Sequence, residues 1–328
     1  MRSRTRFGWF LAHEEWQPES LIRQGLLAES AGFDALLVSD HLQPWSDVDG
    51  AAGFSWATLG ALAASTRTAA LISAAVCPLF RMHPVLVAQA AATVNRLSEG
   101  RFELGLGMGQ AVNEQPLLGP LPPYRERLER TTEAMSLIRP LLQGEEVSSD
   151  LPHYPVSAMK LHSPSPWPMP VYLAASGPRS AEASGRLADG VITSVKDVAR
   201  TEREVVDVAR KAAKAAGRRP PRVVLTCFLV FARSDEEAWE ALRPWRGMRT
   251  PRRLWEGSPR RLREDADAMG SESVLRRFPR YGDVAQVVEL CRTIVDGIAP
   301  DVLALQVAAV DGASALEQLS EVPRRLRN

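Results

Sequence analysis

Apolar runs of strand length alternate along this chain with longer stretches in which apolar residues recur every three or four positions. These are the periods of a buried strand and of an amphipathic helix. Phe7 to Leu11 reads as a first strand, and Pro18 to Ala31 as a helix that presents Leu21, Ile22 and Leu26 on one face and ends at Gly32. Ala35 to Val38 is the second strand, Trp56 to Ser65 a helix, and Ala69 to Val76 the third strand. A helix started by proline, Pro84 to Leu97, precedes the fourth strand, Arg101 to Leu106, and a long helix, Tyr124 to Leu142, follows it. Val171 to Ala174 is the fifth strand, with a helix over Pro178 to Leu187, and Gly190 to Thr193 the sixth, with a helix over Thr201 to Ala216. The seventh strand is Arg222 to Phe231, followed by a helix that begins at Asp235 and runs to Trp245. Val284, Val287, Val288, Cys291 and Ile294 keep helical spacing before the eighth strand, Val302 to Gln306, and a last helix, Ala313 to Leu326.

Strands that are apolar throughout imply parallel pairing with both faces covered. Eight strand and helix units then suggest an α/β fold closed as a (β/α)8 TIM barrel, with a doubly wound open sheet as the competing arrangement. Two insertion segments interrupt the repeat, about 144–170, rich in proline and serine, and about 246–282, rich in arginine. No solenoid repeat is visible, so residues 1–328 read as a single domain.

Composition narrows the class. A formal net charge of +1 argues against a dedicated nucleic-acid partner. No apolar run approaches the roughly 20 residues that span a membrane, and the apolar part of the basic N-terminus is too short for a signal peptide. Cys77, Cys227 and Cys291 lie far apart, which indicates neither a metal site nor a disulfide framework and suits a reducing cytoplasm. The expectation is a cytoplasmic enzyme for a small-molecule or peptide substrate, as a homodimer.

In such a barrel the active site lies at the C-terminal ends of the strands. After the second strand comes SDHLQPW, with Asp40, His41 and Trp45. A histidine beside a carboxylate there suits proton transfer, because its ordinary pKa of about 6.5 is readily tuned; a capping Asp with a structural histidine is the bland reading. The fourth strand leads into GLGMGQAVNE, whose alternate glycines let backbone approach a cofactor or simply make a tight turn; it lacks the GxGxxG spacing of a dinucleotide fingerprint. Ala174-Ala175-Ser176-Gly177-Pro178 runs from the fifth strand into a helix, where exposed amides make either an anion site or a plain helix start. Lys196, after the sixth strand, adds positive charge there or is simply solvated.

Together SDHLQPW, VCPLFRMHP over 76–84, GLGMGQAVNE and YLAASGP over 172–178 resemble the luciferase-like flavin and deazaflavin oxidoreductases. Within them the branch that includes coenzyme F420-dependent glucose-6-phosphate dehydrogenase is nearest. The resemblance runs from the first strand to Lys196 and is weaker beyond. It implies a luciferase-like barrel with the deazaflavin across the strand ends and His41 over the ring. Trp45 would help hold the reacting intermediate. Asp40, Gly107, Gly109 and Asn113 would contact the cofactor, and Ala175, Ser176 and Gly177 would receive its phosphate. Ala74, Ala75 and Val76 would form a bulge behind the ring with a cis peptide between the two alanines.

Two departures shape the functional expectation. Gln110 stands where the sugar-phosphate dehydrogenases carry a catalytic glutamate, and an amide neither accepts nor releases a proton at neutral pH. Glu264 or Asp265 falls near the position of the lysine that grips the sugar phosphate. The expectation is therefore a reductase that uses F420H2 to give hydride to an activated C=C or C=N bond, with His41 supplying the proton, and not glucose-6-phosphate oxidation. An FMN-dependent monooxygenase and a catalytically inactive deazaflavin-binding protein are the alternatives. The arginine-rich segment, with Arg249, Arg252, Arg253, Arg260, Arg261 and Arg263, reads either as a charged lid or as a solvated insertion balanced by its own acids.

Overall fold

A computed structural model describes residues 4–327. In chain order its elements are β1 (Arg6–Leu11), α1 (Pro18–Ser30), β2 (Ala35–Val38), α2 (Ser55–Ser65), β3 (Ala70–Ser73), α3 (Pro84–Leu97), β4 (Phe102–Leu106), α4 (Ala111–Leu118), α5 (Tyr124–Leu142), β5 (Val147–Ser149) and β6 (Val156–Met159). Then come β7 (Val171–Ala174), α6 (Pro178–Leu187), β8 (Gly190–Ser194), α7 (Val198–Thr201), α8 (Asp207–Ala215), β9 (Arg222–Phe231), α9 (Asp235–Ala241), α10 (Pro259–Met269), α11 (Ser271–Leu275), β10 (Arg280–Tyr281), α12 (Val284–Ile298), β11 (Val302–Ala308), α13 (Gly312–Leu319) and α14 (Glu321–Arg327). A wider π-type turn, Glu202–Val206, joins α7 to α8.

The strands β1, β2, β3, β4, β7, β8, β9 and β11 pair in parallel in that order, and β11 returns to β1. The sheet is thus the closed eight-stranded barrel expected from the alternation, with helices between its strands. Alternate residues of each strand face opposite sides. Leu36, Leu71, Leu104 and Leu225 face the helices, while Leu37, Ile72, Tyr172 and Val224 fill the interior. Inside, the Tyr172 hydroxyl donates to Glu103 at 2.6 Å and Arg6 pairs with the same carboxylate at 2.9 Å, so β1, β4 and β7 are tied by satisfied polar groups.

Several boundaries differ from the periodicity. The third strand stops at Ser73, the Ala74–Ala75 peptide that follows is cis, and Val76 meets the sheet again through a bridge to Leu106. The helix α4 was not expected, since its short sequence carries an internal proline, Pro116. The helix from Asp235 ends at Ala241 rather than Trp245, and the last helix is two, α13 and α14. The insertion at 144–170 holds the antiparallel pair β5 and β6; that at 246–282 holds α10, α11 and β10, the last pairing in parallel with β9. Among the described residues no helix is long and apolar enough to cross a membrane.

Candidate active site

The C-terminal ends of β1 and β2 are adjacent, with Leu11 opposite Val38. That register brings His13 and Glu14 beside Ser39, Asp40 and His41. The Nδ1 of His41 contacts the Gln43 carbonyl at 3.1 Å. A carbonyl only accepts, so Nδ1 carries a hydrogen. The Nε2 lies 3.3 Å from Glu14 Oε1, a contact that becomes an ion pair when the imidazole is protonated. The other Glu14 oxygen accepts from the Ser39 hydroxyl, which in turn accepts the His13 amide at 2.8 Å. Glu14 and His41 side chains are only 4% and 9% exposed, so solvent screens the pair little. The Trp45 ring lies 5.2 Å from that of His41, and its indole N–H is buried without a partner.

His13 is wholly buried and neutral in design. Its Nδ1 donates to the Ser39 carbonyl at 2.8 Å and its Nε2 accepts from the Thr58 hydroxyl at 2.9 Å. Burial holds its pKa below the usual histidine range.

Beneath the pair, Arg81 bridges two carboxylates. Its Nη2 donates to Asp40 Oδ2 at 2.6 Å and its Nε to Glu114 Oε1 at 3.2 Å; the Ser55 hydroxyl also donates to Asp40 at 2.7 Å. The Glu114 Oε2 is buried and unpaired, and burial raises this carboxyl's pKa even though Arg81 opposes the shift. Burial, reinforced by Glu114, keeps the adjacent Cys77 thiol protonated.

The glycine loop follows from β4. Asn113, at the start of α4, accepts the amides of Leu42 and Gln43 at 2.9 and 3.3 Å, so it locks the loop that carries His41. Gly109 takes a positive φ of 79°, where a side chain would be strained. Gln110 is exposed and its side chain does not cap α4. Gly107 lies against Ala75, within ordinary contact distance for an added Cβ. Ala175 is buried, and Ser176 and Gly177 present an open helix start in which no side chain caps α6.

The arginine-rich segment crosses the mouth. Gly247 packs so closely on the Trp45 carbonyl that an added Cβ would fall 2.1 Å from its oxygen. Farther on, the Gln43 amide donates to the Gly257 carbonyl at 3.1 Å. Four of the six arginines are balanced by acids: Arg252 by Asp265, Arg261 by Glu256, and Arg260 and Arg263 by Asp47. Arg249 and Arg253 have no ion-pair partner among the described residues, and they gather near Lys196. Burial, and then the neighbouring arginines, lower the Lys196 pKa, and burial brings Arg249 down to about 10. Lys196, Arg249 and Arg277 line a cavity of about 260 Å³ with Phe228 and Phe278 as its apolar wall.

Of the residues singled out in the sequence, His41, Trp45, Asp40 and Asn113 are thus brought together. Ala74, Ala75 and Val76 lie next to the glycine loop, and Gln110 stands outside the polar network. Glu14, Arg81 and Glu114 were missed as functional residues. For Glu14 the signal was present, since His13-Glu14-Glu15 follows the first strand after a single alanine, Ala12.

The model of the luciferase-like monooxygenase family matches residues 5–299. The F420-dependent hydroxymycolic acid dehydrogenase of Mycobacterium tuberculosis is 37% identical over 70% of this chain and 64% of its own length. The F420-dependent glucose-6-phosphate dehydrogenase of Beutenbergia cavernae is 42% identical over 57% of this chain and 56% of its own length, so the chain spans under two thirds of either relative. That of Nakamurella multipartita is 32% identical over 89% and 87%. Among solved structures, an F420-dependent secondary alcohol dehydrogenase holding an F420-acetone adduct superposes with a TM-score of 0.90 at 23% identity, over 99% of this chain and 100% of that one. With nine tenths of its length matched and its barrel closed in the same way, this chain belongs to the luciferase-like monooxygenase family.

Proposed function

We propose that the protein is an F420-dependent oxidoreductase working as a reductase, which adds hydride and a proton across an activated C=C or C=N bond, as in a dehydroamino acid or an unsaturated natural-product intermediate. The residues fit the deazaflavin. The helix start at Gly177 has open space where a Cβ would lie, and its first-turn amides lack an i−4 carbonyl. Trp45 offers an unpaired indole N–H beside His41. When bound, the reduced deazaflavin supplies two electrons as hydride.

The protein supplies the proton. The observation that carries this reading is the buried contact between His41 Nε2 and Glu14 at the strand ends, with no second acid at Gln110. At 3.3 Å the contact is longer than a close charge-assisted bond of about 2.8 Å, so a protonated His41 is weakly held and presents its Nε2 proton to substrate by rotation of the whole ring. Delivery of that proton to the carbon or nitrogen adjoining the hydride acceptor completes a one-proton, two-electron reduction. Lys196, Arg249 and Arg253 would hold an acidic group of the substrate, and the Trp45 ring would wall its unsaturated part.

A second reading is favoured by the same cations. A cavity lined by Lys196, Arg249 and Arg277 also suits a phosphate, and His41 with Glu14 would then take a proton from an alcohol. The two are separated by loading the protein anaerobically with F420H2 and screening unsaturated acids for cofactor oxidation, beside oxidised F420 offered glucose-6-phosphate. Oxidation of F420H2 by an unsaturated acid is expected. Reduction of F420 by the sugar phosphate would overturn the reductase reading, and tight FMN binding with oxygen-dependent product would overturn the choice of cofactor.

A further inference from the structure

The strands β4 and β7 are neighbours, with Leu106 opposite Leu173. The glycine loop and the Ser176–Gly177 turn therefore leave the barrel side by side. At their junction stands Tyr124, the first residue of α5. Two guanidinium groups flank its ring, Arg179 at 5.3 Å and Arg127 at 5.9 Å from the centroid. Arg127 is anchored to the glycine loop, donating to the carbonyls of Met108 and Gly109 at 3.2 and 3.3 Å. Arg179 is exposed on the first turn of α6, two residues past Gly177.

This cluster has unused capacity for an anion. Carbonyls alone satisfy Arg127, and neither arginine is in ion-pair contact with a carboxylate among the described residues; the nearby Glu182 is 3.9 Å from Arg186. The Tyr124 hydroxyl is buried without a hydrogen-bond partner. Burial raises its pKa against the opposing pull of both arginines, so the hydroxyl keeps its proton and donates. An unpaired buried donor between two cations is costly unless something accepts from it.

We propose that Arg179 and Tyr124, backed by Arg127, form a clamp for the acidic tail of the cofactor, the carboxylate chain that continues beyond its phosphate. The inference rests on the F420 reading. A phosphate held at Gly177 would bring the chain beyond it within reach of Arg179, whose exposed guanidinium would donate to a tail carboxylate, the buried Tyr124 hydroxyl joining only as Arg179 swings off its ring. Specificity for F420 over a tail-less deazaflavin or a flavin mononucleotide would then come from residues remote from the reacting ring.

The test is binding, read by ligand fluorescence, of F420 and of the same deazaflavin cut back to its ribityl phosphate, which keeps the phosphate and lacks only the tail. The proteins compared are wild type, Arg179→Ala, Tyr124→Phe and the surface control Arg186→Ala. Arg179→Ala is expected to weaken F420 binding roughly tenfold to a hundredfold, as for a lost charged hydrogen bond, and Tyr124→Phe to weaken it less. Both should leave the cut-back ligand and the thermal midpoint unchanged, and Arg186→Ala should do nothing. Equal losses for both ligands, or none, overturn the clamp while leaving the cofactor assignment intact. Wild-type protein that binds FMN and neither deazaflavin overturns both.

Discussion

Arg81→Met removes the only guanidinium between two carboxylates whose side chains are each 1% exposed. Methionine fills part of the space but offers no donor, so Asp40 keeps only the Ser55 hydroxyl and Glu114 loses its partner entirely. Breaking a buried ion pair in this way costs about 3–5 kcal/mol, chiefly because charge is left without compensation. If that is the cause, a second change should give part of it back. Glu114→Gln in the Arg81→Met background removes one stranded charge at nearly constant shape, and should recover roughly 1–3 kcal/mol. Urea unfolding followed by tryptophan fluorescence reads both values, and an unchanged slope would show that the comparison concerns stability alone. A loss under about 1 kcal/mol for Arg81→Met, or a double variant no more stable than the single, would refute the reasoning. The guanidinium would then be a dispensable filler and the loop around His41 would be held by Asn113 and by the Gln43 side chain.

Three further outcomes are expected. His41→Ala should slow turnover about 10²–10⁴-fold with cofactor affinity retained, and Glu14→Gln, which keeps shape but removes charge, should slow it by a smaller factor; normal single-turnover rates in both would end the proton-donor assignment. His13 has a folded-state pKa below its unfolded value, so the folded state resists protonation: its contribution is fully present above about pH 6.5 and is lost as pH falls through that value toward the depressed folded pKa. The slope of stability against pH in this acid window should therefore flatten in His13→Gln, and an unchanged slope would contradict the linkage. Arg249→Met should weaken the Michaelis constant for an anionic substrate and reduce its salt dependence, with F420 affinity unaltered; substrate kinetics that ignore both the substitution and added salt would show that the mouth cations play no part in recognition.

The barrel was legible because each strand announces itself locally. Ala35-Leu36-Leu37-Val38 and Val171-Tyr172-Leu173-Ala174 are apolar on both faces, and only parallel strands covered on both sides tolerate that. The helix Tyr124–Leu142 was read to its ends for the same reason. Where local signal is weak the reading failed: α4 is too short and carries a proline, and the third strand ends at Ser73 although Ala74, Ala75 and Val76 remain apolar. The arginine-rich stretch shows the limit most plainly. Its sequence holds six similar arginines, yet tertiary pairing neutralises four and leaves Arg249 and Arg253 facing Lys196.

The sequence by itself determined the fold class, the strand ends and the presence of His41 and Trp45 at one of them. These depend on periodicity and on residues adjacent in the chain. The tertiary structure decided which groups act together: Glu14 with His41 across the β1–β2 register, Arg81 between Asp40 and Glu114, and Tyr124 between Arg127 and Arg179. A charge's effect is set by its distance to its partner and by the water excluded around both. Neither quantity exists along a sequence; both come into being when the barrel closes.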